Sequence, residues 1–88
     1  MKTHHTHPEI LKRLKRANGH LAKVISMIHE EQSCLEVARQ LHAVEQAISN
    51  AKKVFIKDHI DHCLDDAAHN HKKNKIDFSE FKEITKYL

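Results

Sequence analysis

His59 and Cys63 stand four residues apart in the stretch KDHIDHCLDD, residues 57–66, which contains no glycine or proline. On a helix that spacing puts both side chains on one face, a turn from each other, where an imidazole and a thiolate can hold one ion. His62 points to another side. Two donors make a weak site, so the rest of the chain must supply more. The second thiol is Cys34, 29 residues before Cys63. At about 1.5 Å per residue the two cysteines lie roughly 44 Å apart along a single helix, so one straight chain cannot unite them. Two chains can. If the long helices of two protomers pack antiparallel, Cys34 of one meets His59 and Cys63 of the other, and two-fold symmetry makes two identical sites. A histidine from the N-terminal cluster completes a set of two thiolates and two imidazoles. His4 and His5 are best placed and His7 is close behind. Such a set suits zinc, nickel, cobalt or copper(I).

The elements that must position these residues are helices. Glycine and proline each occur once in 88 residues, so almost nothing interrupts the chain. Pro8 fits the first turn of a helix capped by Thr6 or His7, and Ile10, Leu14, Ala17, Leu21, Val24 and Ile28 repeat at steps of four and three to about Glu30. Gly19 interrupts this seam at a cost of about 1 kcal/mol relative to alanine, which close approach of another backbone would explain. Ser33 to Glu36 has the form of a capping box and starts a second helix carrying Val37, Leu41, Val44, Ile48, Ala51 and Phe55, unbroken to about Ala68. Asp77 and Glu80 can cap a short third helix with Phe78, Phe81, Ile84 and Leu88 on one face. The first two helices form an antiparallel hairpin whose second arm overhangs, and the first arm ends near the level of residue 55. A tail of a few residues, 1–7, then reaches the turn that holds His59. The apolar stripe left uncovered calls for a partner chain.

One small domain, residues 1–88, is what the length supports, with a core marginal enough to favour oligomers or metal. The first residues lack an apolar leader and no later run is long enough to span a bilayer, so the expected address is the cytoplasm, with no membrane partner. There two cysteines are ligands, reactive thiols or buried residues rather than a disulfide. No acid–base or nucleophile constellation is visible, and a four-ligand site leaves no open position for a substrate, so an enzyme is not expected.

RLKRANGH at 13–20, SCLEVARQLHAVEQAI at 33–48 and HIDHCL at 59–64 together resemble the CsoR/RcnR family of bacterial metal-responsive transcriptional repressors. The resemblance covers nearly the whole chain. It implies an all-α fold of three helices per chain, a four-helix-bundle dimer and a disc-shaped homotetramer that binds operator DNA until metal releases it. By position, Cys34, His59 and Cys63 match the family's ligand set, and the N-terminal histidines, His4 or His5, look like the extra ligand of its nickel and cobalt sensors. The implied inducer is nickel or cobalt, with a copper(I) sensor of the same family as the alternative. Where many members carry an arginine in the middle of the second helix, this chain has Glu45-Gln46.

Lys12, Arg13, Lys15, Arg16 and Lys23 make the first helix basic, and Arg13, Arg16, His20 and Lys23 follow one stripe. Repeated in an oligomer, such stripes can neutralise phosphates along a duplex, although no helix-turn-helix or zinc-finger motif is present. On the resemblance Arg13 and Arg16 match positions that contact DNA, with Lys52 and Lys53 as additions. His20, His29 and His42 have no partner at useful spacing and read as surface or interface residues. A cytoplasmic metal-buffering protein without a DNA partner is a reading of a different class.

Overall fold

The computed structural model describes residues 7–69 and 78–88, and within these the side chains of residues 7–62 and 79–88. It contains three helices, α1 (His7–His29), α2 (Cys34–His69) and α3 (Phe78–Thr85). Pro8 occupies the first turn of α1, where a missing N–H forfeits no helical bond. His7, expected in the tail over residues 1–7, belongs to α1. Residues 1–6, with His4 and His5, lie outside the described residues, as does Asp77, the expected cap of α3.

The turn between α1 and α2 is built from caps at both sides. Gln32 N–H donates to the Met27 carbonyl at 3.0 Å and Glu31 N–H to the Ile28 carbonyl at 3.0 Å, a Schellman closure around Glu31 at φ 56°. A left-handed residue in this place is usually glycine, so the sequence gives no punctuation here. Ser33 Oγ then accepts the Glu36 N–H at 3.1 Å and starts α2. The expected box is half formed, since the Glu36 carboxylate turns forward to accept from Gln40 at 3.0 Å and to face Arg39 at 3.6 Å.

α1 and α2 pack as an antiparallel hairpin over a thin core of Ile10, Ala17, Val24, Met27, Val44 and Ala51. Ala17 and Ala51 keep the two backbones close. Ile56 is also buried, but about 140° around α2 from Ala51, so that end of the helix is covered from a second side. α3 packs against α2. The Cα trace measures 60 × 23 × 13 Å, and its least dimension is close to the roughly 10–12 Å diameter of one helix. A single layer can bury one stripe per helix and leaves the next stripe in water. Leu11, Leu14, Leu21, Ile25 and Ile28 on α1, with Leu41, Ile48 and Phe55 on α2, are accordingly exposed. The close approach expected at Gly19 is absent among the described residues: a Cβ built there meets nothing within 4 Å.

Candidate metal centre and nucleic-acid interface

The ends of α2 carry the expected ligands, and its regularity fixes their relation. Cys34, Leu41, Ile48 and Phe55 recur every seventh residue on one exposed stripe. A further step reaches the height of His59 and Cys63. At 100° per residue, Cys34 and His59 point within about 20° of each other, yet about 38 Å apart along the axis. Cys34 is exposed and opens the helix. It borders an apolar groove of 490 Å³ formed with Ile28, Val37, Ala38 and Leu41. Cys63 lies on α2, and its side chain is outside the described residues. Among the described residues, no three histidine, cysteine or acidic side chains are close enough to hold an ion.

Around His59 the three helices meet. His59 Nε2 is 3.9 Å from Glu80 Oε2 on α3, an ion-pair distance rather than a hydrogen bond. His59 is half-buried, and Asp58 beside it is 3.9 Å from His7 Nε2. The His7 ring also stacks on Phe55, centroids 5.3 Å apart and planes 14° from parallel. α1 therefore begins one turn from His59, at the level expected from the lengths of the two helices.

The basic residues divide between surfaces. Arg13 and Arg16 line a groove of 230 Å³ with Ala17, His20, Ala47 and Asn50, on the polar side of the hairpin. Arg13 Nε also faces Glu9 at 3.6 Å across one turn. Lys52 borders a different groove, with Leu14, Ile48 and Phe55 on the apolar side. Lys12 and Lys53 are exposed on the outer surfaces of their helices. Two of the five expected DNA contacts thus line one groove, and Lys12 stands one helical turn from Arg16 on the same helix. His20, expected to lack a partner, has one: its Nε2 is 2.6 Å from Gln40 Oε1 on α2. Folding the sequence about Gln32 sets residue 20 level with residue 44, one turn from Gln40, but the side on which each points was not legible from spacing.

A family model described as "Metal-sensitive transcriptional repressor" matches residues 6–88. The chain belongs to this family of metal-sensitive transcriptional repressors. It is 37% identical over 54 residues to the copper-sensing transcriptional repressor CsoR of Mycobacterium ulcerans, covering 61% of this chain and 46% of that protein. CsoR of Bacillus subtilis is 32% identical over 59 residues, which cover 67% and 58% of the two chains. The matched region thus spans about half the length of these relatives. The nickel-responsive transcriptional regulator InrS superposes with a TM-score of 0.80 at 27% identity, covering 100% of this chain and 99% of that one. Membership of a repressor family, and an all-α fold shared with InrS, agree with the resemblance read from the three motifs. No helix among the described residues is long and apolar enough to cross a membrane.

Proposed function

We propose that this chain is a cytoplasmic repressor that binds operator DNA in its metal-free form and is released when nickel or cobalt binds between protomers. The observation that carries this reading is the stripe on α2, with Cys34 at one end and His59 at the other. About Ile48, Cys34 lies fourteen residues to one side and residue 62 fourteen to the other. The stripe is therefore self-complementary when two copies run antiparallel: Ile48 meets Ile48, Leu41 meets Phe55, and Cys34 meets the turn holding His59 and Cys63. One contact buries the exposed apolar side and assembles the donors. Pairing of such dimers would give the homotetramer, with residues 1–88 as one sensing and DNA-binding domain.

Each ion would be held by Cys34 of one protomer and by His59 and Cys63 of its partner. His4 or His5 would add a fourth donor, since α1 begins beside His59. The donor set fits a borderline or soft transition metal, and the bound ion would supply a cross-link between chains. Arg13 and Arg16 would contact DNA phosphates, with Lys12, Lys52 and Lys53 as outlying contributors. Release requires only that metal prefer the DNA-free arrangement, by about 1–3 kcal/mol in typical cases.

A copper(I) sensor is the second reading, favoured by the copper-sensing relatives and by a Cys-His-Cys set that needs no tail histidine. Mixing two defective variants tests the shared site. Cys34→Ala and His59→Ala should each weaken metal binding at every site, and their mixture should regain wild-type affinity and spectrum at one of the two sites in every mixed dimer. A site built within one chain would regain nothing. Nickel binding that persists when both His4 and His5 are replaced, with tighter copper(I) binding, would favour the copper sensor.

A further inference from the structure

The polar side of the hairpin carries a connection that neither the ligand set nor the arginines account for. Gln40 Oε1 accepts the Nε2 proton of His20 at 2.6 Å. Gln40 Nε2 in turn donates to Glu36 Oε2 at 3.0 Å, and the Glu36 backbone N–H donates to Ser33 Oγ at 3.1 Å. These bonds run from the middle of α1 to the first turn of α2 without entering the apolar core. That turn begins with Cys34. At its other end the chain reaches the groove of Arg13 and Arg16, of which His20 forms a wall.

The geometry points to a coupling role: Gln40, through His20 and Glu36, links the position of the Cys34 turn to the shape of the arginine groove. This rests on the reading that Cys34 binds metal and Arg13 and Arg16 contact DNA. A thiolate drawn to an ion on another protomer pulls on the first residue of α2, a helix end where backbone bonds are fewest. Helix displacements in switching proteins are about 1–2 Å, and a hydrogen bond of 2.6–3.0 Å does not survive stretching by that amount. The link then has two discrete states. With it made, His20 is held across the hairpin and the groove keeps its wall. With it broken, the ring is released toward the guanidinium groups, and the spacing of the phosphate contacts changes. Gln40 touches neither metal nor DNA in this scheme and is a positioning residue.

The test compares wild type, Gln40→Met and Gln40→Glu for binding a duplex that carries the sequence upstream of the protein's own gene, with and without the releasing metal. Methionine keeps the length and removes both bonds, while glutamate keeps an acceptor for His20 and opposes Glu36 with like charge. The ratio of metal-loaded to metal-free Kd should fall at least about fivefold in both variants, metal-free affinity staying within about threefold of wild type. Thermal melting checks that both variants fold: loss of the two bonds lowers Tm modestly, and a purely structural loss would do so without changing the ratio. A wild-type ratio in either folded variant overturns the link, as does loss of metal-free binding in both, which would make Gln40 part of the groove itself. A wild-type protein that binds the duplex but is not released by any metal defeats the underlying reading and the link with it.

Discussion

At the scale of single residues, the account turns on how few donors one protomer offers. Glu80 beside His59 is the residue whose role spacing concealed, because it comes from another helix and acts on Nε2 rather than on an ion. Outer partners of metal-binding histidines fix the ring and its tautomer, so Glu80→Gln should weaken metal affinity by about 10–100-fold while leaving the absorption spectrum in place. A competition titration against a chelator measures this. Unchanged affinity would mean that the 3.9 Å pair contributes only at the surface. Cys34→Ala, by contrast, removes one of the two thiolates and should both weaken binding and alter the thiolate absorption, leaving Cys63 as the sulfur donor.

At the scale of elements, two backbone positions separate propensity from packing. Gly19 lies in the middle of α1 with open space where a Cβ would be, so Gly19→Ala should raise stability by about 1 kcal/mol per chain in urea unfolding. A loss instead would indicate that a second chain approaches there in the assembly. Ser33→Ala removes the acceptor of the Glu36 N–H and should cost about 1 kcal/mol by the same measurement. The helices themselves were legible in the sequence because their apolar periods are long and the capping serine stands where α2 begins. The end of α1 was less so, since Glu31 takes a left-handed conformation that glycine usually marks. The His59 and Cys63 pair could be read from spacing. The His20 to Gln40 bond and the Glu80 contact could not, because each depends on the side-chain direction of two elements at once.

At the scale of the whole molecule, a layer one helix thick leaves leucines and isoleucines exposed on one side, the side that a second copy would cover in the proposed dimer. In the proposed antiparallel dimer Ile48 would lie on the two-fold axis, facing its own copy. Ile48→Asp would set two like charges against each other in an apolar interface, and should yield monomers in sedimentation at concentrations where the wild-type chain is oligomeric. The same variant should lose metal absorption although all its ligands are intact, because the site needs both chains. Arg13 and Arg16 line a groove away from the exposed apolar residues, so the proposed assembly would leave them available for the proposed DNA contact.

On the proposed function, an oligomer of this chain holds DNA without metal and lets go with it. The measurement that meets it most directly is fluorescence anisotropy of the metal-free protein on the DNA upstream of its own gene, repeated with nickel, cobalt, zinc and copper(I). The account predicts tight, salt-sensitive binding that nickel or cobalt reverses. Absence of binding at low salt by a confirmed oligomer, or binding that none of the four metals changes, would contradict it.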